Sequence, residues 1–220
     1  HPPGGGRRPR PRAAHGARID TEDVLNSPPI SSPLKSLDVA PLADTAVVVV
    51  LAAEARARRL SSNPVWVRGV GWSSDTPWLE TRSWAVAKYA SDAARMAYRL
   101  AKVARPGTAF DVAEIDDKFS YKEPQHLEAL GLAKKGSTAS AIRRGDFEIG
   151  GKLPVNPSGG SLGCGNVIEA SGLHRVAEVA LQLRGEAGRN QIGGARTGLA
   201  ASWRGVPTTS GAVAVLGVGR

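Results

Sequence analysis

Cysteine is nearly missing from this 220-residue chain: Cys164 stands alone, so no internal disulfide can form. Long apolar runs are missing too, and the longest, residues 46–53, is far too short to cross a bilayer. Both absences point to the cytoplasm and away from a membrane. Histidine is sparse: His1, His15, His126 and His174 are scattered, none at ligand spacing to another histidine or to Cys164, which argues against a bound metal. Each reads better as a surface or packing residue. Neither a Walker loop nor G-x-G-x-x-G occurs, so nucleotide binding by those routes has no support. The chain also starts without Met, and its head is neither signal-like nor amphipathic, which points to truncation or processing upstream.

What is present fits a folded domain. Apolar residues make up 41%, ordinary for a globular protein of a size that can bury a core. The formal charge of +9 invites a nucleic-acid partner, but Arg7, Arg8, Arg10, Arg12 and Arg18 supply five of those charges ahead of Asp20. Without residues 1–18 the balance is +4, only mildly basic. That head is Gly, Pro, Arg and Ala with little to bury, so residues 1–18 read as a disordered basic tail. It lacks the interleaved aromatics of a base-stacking arm, so no nucleic-acid partner is expected.

Along the chain, residues 46–52 form a continuous β-branched run, the pattern of a strand buried on both faces. A short helix over 53–60 leads into Ser61-Ser62-Asn63-Pro64, a natural boundary. The alternation from Val65 to Val70 predicts a strand, and Val86, Ala90, Ala93, Ala97, Leu100 and Ala104 a helix with one buried stripe, ended by Pro106-Gly107. A short strand over 111–116 follows, then a helix opened by a capping box of Ser120 and Glu123, with Leu127 and Leu130 buried. Residues 153–156 predict another strand before a Gly-rich turn, 158–165. The next helix buries Leu173, Val176, Ala180 and Leu183 and stops at Gly185; strands over 196–203 and 211–218 close the chain. This order argues for an α/β layered domain with a mostly parallel sheet and no internal repeats.

In such sheets ligands sit beyond the carboxyl ends of strands, which selects residues 114–119 and 156–166. The second segment contains Gly159-Gly160-Ser161-Leu162-Gly163, a formal match to the G-x-S-x-G nucleophile elbow. That reading fails, because glycines crowd the helix turn that an elbow needs and His174 lies on the next helix with no loop to deliver it. Asp116 and Asp117 are adjacent at a strand end, so at most one faces a given pocket.

The stretch Pro154 to Gly163, with Glu169-Ala170-Ser171-Gly172-Leu173, closely resembles the thiolase signature N-x-x-G-G-x-x-x-G-H-P-x-G-A-S/T-G. Asp116-Asp117-Lys118-Phe119-Ser120 resembles the strand-end H-D-x-F-S of the sterol-carrier-protein type, and residues 176–191 and the closing Gly-Ala-Val-Ala-Val-Leu-Gly continue the likeness. The similarity runs over about residues 19–220, the superfamily's C-terminal half. It implies a βαβαβαββ domain with a mostly parallel five-stranded sheet over 61–220, and residues 19–60 as a remnant of the N-terminal twin domain. An acyl-CoA thioester, as substrate and with no further cofactor, would lie between the two, with Ser158, Gly159, Gly160, Ser161 and Gly165 letting backbone approach it.

The departures concern chemistry. Where thiolases carry the histidine of G-H-P, this chain has Gly165-Asn166-Val167, and asparagine can donate to an oxyanion but cannot be a general base. The strand-end His or Asn is Asp116, and the late C-x-G cysteine is absent between Arg204 and Gly211. Cys164 falls at a variable motif position and reads as a small packing thiol. The resemblance thus implies a thiolase-like acyltransferase of lipid metabolism without its usual cysteine and histidine, the isolated chain being inactive. Two readings stand beside it: a retro-aldol lyase acting on an acyl-CoA, with Asn166 as oxyanion donor and Tyr121 or Asp116 in proton transfer, and a non-catalytic acyl-CoA-binding subunit. A truncated or decayed product is the third. The partners implied are acyl-CoA, a second copy or an N-terminal thiolase half, and a zinc-ribbon/OB-fold protein.

Overall fold

The computed structural model describes residues 19–205 and 209–219. The expected basic tail, 1–18, lies outside the described residues. In chain order the elements are α1 (Thr21–Asn26), β1 (Pro29–Ser31), β2 (Leu34–Lys35), α2 (Glu54–Leu60), β3 (Trp66–Ser74), α3 (Lys88–Ala101), β4 (Val112–Glu114), α4 (Lys122–Ala129), α5 (Thr138–Arg143), α6 (Gly160–Cys164), α7 (Ser171–Arg184), β5 (Thr197–Arg204) and β6 (Ser210–Gly217).

One four-stranded sheet organises the chain in the order β3-β6-β5-β4. β4 and β5 run parallel, whereas β5–β6 and β6–β3 are antiparallel, so the sheet is mixed. The layered α/β class is as expected, but the fifth strand, 153–156, is reduced to one parallel bridge from Val155 to Ala113. Strand alternation divides the core in two. Leu199, Ala201, Val213 and Val215 face α3 and α4 with Phe110, Ile115, Leu127 and Leu130, while Ala200 and Leu216 face Val179 and Leu183 of α7.

The α3 layer is built from small residues for a steric reason. A methyl group on Gly71 would stand 2.0 Å from the Ala93 carbonyl oxygen, and one on Gly69 2.2 Å from that of Ala97. Helix and strand backbones therefore meet without side chains between them. The buried face of α3 is Tyr89, Ala90, Ala93, Ala94, Ala97 and Tyr98, whereas Val86 and Leu100 of the predicted stripe are exposed. The tight approach selects alanine over larger apolar residues and rotates the helix accordingly. α3 also stops earlier than Pro106-Gly107, with Lys102 in the left-handed region.

Other expectations are corrected. Residues 46–52 form no strand: they run without a sheet partner among the described residues, with Val48, Val50 and Leu51 exposed. The run has the composition for a two-sided burial that this chain does not supply. The Ser120–Glu123 capping box does not form either. Ser120 Oγ donates to Asp38 Oδ1 (2.6 Å), and Glu123 Oε2 accepts from Asn156 Nδ2 (2.8 Å), so both side chains serve tertiary partners. In α7 the buried face is Ser171, Arg175, Val179, Gln182 and Leu183, with Leu173 exposed, because the helix sits over buried carboxylates that need Arg175.

Residues 38–43 act as a strap. Ala40 N–H donates to the Lys118 carbonyl, Ser120 N–H to that of Asp38, Asn166 N–H to that of Pro41 (2.7 Å) and Ala43 N–H to that of Asn166. One extended segment thereby fastens the loop after β4 to the loop before α7.

Candidate active site: a caged lysine and Asn166 on one cavity

Those two loops border a cavity of about 880 Å³ beyond the carboxyl ends of the parallel strands β4 and β5. Its wall is contributed by Trp72 near the end of β3 and Asp75 just after it, the loop before α3 (Arg82, Trp84, Val86), Tyr89, the loop after β4 (Lys118, Tyr121) with Lys122, the loop before α7 (Asn166, Ile168), Ser202 to Gly205 and the start of β6. Among the described residues that line it there is neither cysteine nor histidine. The indoles of Trp72 and Trp84 and the side chains of Val86 and Ile168 remain exposed at this site.

Of the residues singled out in the sequence, Asn166 and Tyr121 line this cavity together. The Asn166 side chain is oriented by its own loop: Oδ1 accepts from Ile168 N–H at 3.0 Å, leaving Nδ2 without a hydrogen bond among the described residues. Its backbone is held on both sides by the strap. Gly165 next to it has φ +101°, and a methyl group there would stand 2.4 Å from Ala43 Cβ, so glycine is what lets the strap lie against this loop. Ile168, a β-branched residue at φ +50°, shows the loop held in a costly conformation. Tyr121 stacks on Phe119 with ring centroids 5.8 Å apart and is half-exposed to the cavity.

Asp116, Ser158, Gly159, Gly160 and Ser161 lie behind that wall. Ser158 donates to Glu114 through N–H (3.0 Å) and Oγ (2.7 Å), and Ser161 N–H donates to Asp117 Oδ1 (2.6 Å). A methyl group on Gly160 would stand 2.0 Å from Asp117 Oδ2. The Gly-rich turn thus spends its donors on two carboxylates of the neighbouring strand end. Arg175 is the counter-ion of the two aspartates, 3.3 Å from Asp117 and 3.7 Å from Asp116, and it also donates to Ser161 Oγ (2.8 Å). Burial alone would push the Asp116 carboxyl up, but the charges of Arg175 and Lys118 outweigh it and hold it below the ordinary carboxylate range. Burial wins at Asp117, which is raised, and at Glu114, pushed up to about 7.

The most unusual group was not legible as a site residue. Lys122, the first residue of α4, is buried with its Nζ 4.2 Å above the Trp203 ring, 5.3 Å from that of Tyr121 and 5.7 Å from that of Tyr89. It donates to Gln125 Oε1 (2.7 Å) and Tyr89 Oη (3.2 Å). Tyr89 Oη lies 2.9 Å from His126 Nε2, and His126 Nδ1 lies 2.8 Å from the Asp116 carbonyl oxygen. A carbonyl only accepts, so Nδ1 carries the hydrogen and Nε2 accepts from Tyr89. Burial draws His126 down to about 4, which keeps it neutral in this chain. The only trace of the cage in the sequence is the four-residue step from Lys122 to His126, one face of a helix; Tyr89 and Trp203 arrive from distant elements.

Residues 71–218 match the family described as thiolase C-terminal domain-like. The chain belongs to the thiolase superfamily. An acetyl-CoA acetyltransferase of Methanothermobacter thermautotrophicus is 38% identical over 190 residues, which cover 86% of this chain and 49% of that protein. Human sterol carrier protein 2 is 36% identical over 186 residues, covering 81% of this chain and 33% of the relative. This thiolase-fold chain therefore spans half the length of these relatives or less. Among solved structures, an Ltp2-ChsH2(DUF35) aldolase superposes with a TM-score of 0.75 at 26% identity, over 92% of this chain and 52% of that one. In this thiolase C-terminal domain Asn166, the residue that the sequence resemblance sets against the histidine of G-H-P, lies at the cavity. No helix among the described residues is long and apolar enough to cross a membrane, and none of their acidic, Cys and His side chains cluster as a metal site would.

Proposed function

We propose that this chain is the C-terminal half of a thiolase-fold lyase that cleaves a carbon–carbon bond of a 3-hydroxyacyl-CoA thioester by a retro-aldol reaction. The observation that carries this reading is Asn166, a neutral amide with an uncommitted Nδ2 in the cavity wall, standing where condensing thiolases need a histidine. An amide can hold an enolate oxygen through a hydrogen bond but cannot generate a thiolate or take a proton near neutrality. Retro-aldol cleavage asks for an oxyanion donor and one acid–base group, and for no nucleophilic cysteine. A solved neighbour that is an aldolase associated with a DUF35 protein favours the same chemistry and a partner of that kind for this chain. The Asp116, Ser158 and Ser161 hydrogen bonds then serve to position the loops, with Gly159, Gly160 and Gly165 giving those loops their close fit, while Asn166 and Tyr121 face the substrate.

The test is Asn166→Ala in the assembled protein. Loss of about 10²–10³ in kcat, with acyl-CoA affinity little changed, is expected for removal of one oxyanion donor. Unchanged turnover would remove Asn166 from the reaction. A non-catalytic acyl-CoA-binding subunit is the second reading, favoured by the absence of cysteine and histidine among the described lining residues. It predicts acyl-CoA binding with no turnover of any thioester.

A further inference from the structure

We propose that Lys122, in its cage of Tyr89, Tyr121 and Trp203, is the acid–base residue of this cavity and exchanges its proton with the 3-hydroxyl and C2 of the thioester substrate. The proposal rests on the retro-aldol reading and supplies the group that reading lacks. A buried ammonium ordinarily needs a carboxylate, yet among the described residues none lies within ion-pair distance of Lys122. Three aromatic rings and two neutral acceptors take that place. Such a site holds the cation without trapping it, because no anion is lost when the proton leaves. A purely packing role would be met by leucine or methionine, with no charge to desolvate.

The hydrogen bonds fix the direction of the relay. The Asp116 carbonyl accepts from His126 Nδ1, His126 Nε2 accepts from Tyr89 Oη, and Tyr89 Oη accepts from Lys122 Nζ. Tyr89 is thereby held as an acceptor towards Lys122, and Gln125 takes a second proton, so one position on the lysine nitrogen carries no hydrogen bond. Lys122, Tyr89, Gln125, Tyr121 and Trp203 all line the same cavity as Asn166.

The charged and titratable groups around it come from every neighbouring element: Tyr89 from α3, His126 from α4, Asp116, Lys118 and Tyr121 from the loop after β4, Arg175 behind them, and Asp75, Arg82, Glu169 and Arg204 elsewhere on the cavity wall. Burial lowers Lys122 to about 8, against an opposing pull from Asp116. His126 is neutral well below this range, and Tyr89 and Tyr121 are raised by burial. Lys122 is therefore the cavity group that changes charge near pH 8.

In the reaction the neutral amine takes the 3-hydroxyl proton, the C2–C3 bond breaks and C3 becomes the carbonyl of an aldehyde or ketone. The bonding pair passes to C2 and the thioester oxygen, where Asn166 Nδ2 donates to the enolate. The ammonium then returns its proton to C2. Atoms and charge balance with no oxidant or co-reactant.

Two measurements on the purified, assembled protein test this. The first is trace labelling of amines with acetic anhydride as a function of pH, read by peptide mass spectrometry, with and without a 3-hydroxyacyl-CoA. Lys122 should label with a midpoint near pH 8, and the thioester should suppress it. Labelling without a midpoint near pH 8, or none at all, overturns the assignment without any reference to turnover. The second is cleavage by Lys122→Met and Lys122→Arg. Each should lose about 10²–10⁴ in kcat with acyl-CoA affinity within threefold, and the rise in rate through pH 8 should vanish. Lys122→Arg keeps the cation and its ring contacts, so its loss of activity in a folded protein separates proton transfer from packing. If the variants cleave as fast as the parent, Lys122 has no such role while the lyase reading stands. If the parent cleaves nothing yet Lys122 labels as described, the lyase reading fails, and with it the substrate assigned here.

Discussion

Behind the cavity, single residues settle which carboxyl groups are charged. Glu114 is fully buried and holds Ser158 through both oxygens, and burial pushes it up to about 7; Glu123, tied to Asn156, is pushed up to about 7 by the same cause. A carboxyl raised above its ordinary 4.5 binds its proton more tightly folded than unfolded. Its contribution to stability is therefore full below about pH 4.5 and is lost as the pH rises through about 7. In Glu114→Gln the amide keeps the shape and cannot ionise. The melting temperature of the variant, measured against the parent from pH 5 to pH 8, should gain steadily on it as the pH rises. A difference that does not move with pH would show that Glu114 does not carry this charge. Legibility differs among these residues. The replacement at Asn166 could be read directly, because a motif defines what belongs there. Lys122 could not, since a lysine at a helix start is ordinary until Trp203 and Tyr89 close over it.

At the level of elements, the contact between β3 and α3 sets where Tyr89 enters the cavity. It depends on bare backbone: Gly69 and Gly71 against the Ala97 and Ala93 carbonyls. Gly71→Ala should push the helix away and destabilise the protein by about 1–3 kcal/mol or more, as overpacking of a tight interface does. Chemical denaturation of the variant checks it, and a loss below about 0.5 kcal/mol would contradict the close approach. The existence of α3, α7 and β3 was readable from periodicity, because apolar repeats of 3.6 and 2 are local properties, whereas the short α1, β1, β2, α5 and α6 were not read. Which face is buried was not. The period alone leaves α3 free to turn Val86 and Leu100 inward, and the glycines of a strand some twenty residues earlier decide otherwise. Likewise, Ser120 and Glu123 have the spacing of a capping box, but Asp38 and Asn156 offer them better-placed partners. Residues 46–52 have the composition of a buried strand and no sheet to join among the described residues.

For the whole molecule, the cavity is assembled from one end of a mixed sheet, three helix starts and a strap that fastens the two key loops. The superfamily motif singled out Asn166, and the strand-end rule the region, both of which border the cavity; the strap across it left no pattern in sequence, because its hydrogen bonds are made by backbone. The proposal for the complete protein is that this end meets the other thiolase half, with the CoA thioester between them and Asn166 and Lys122 working on opposite ends of the breaking bond. The most direct measurement offers the assembled protein two thioesters, a 3-hydroxyacyl-CoA alone and a 3-ketoacyl-CoA with free coenzyme A, and follows products by mass spectrometry. Cleavage of the first to a shorter acyl-CoA plus an aldehyde or ketone, with no thiolysis of the second, is the expected result. Thiolysis of the 3-ketoacyl-CoA with the 3-hydroxy ester untouched would contradict it.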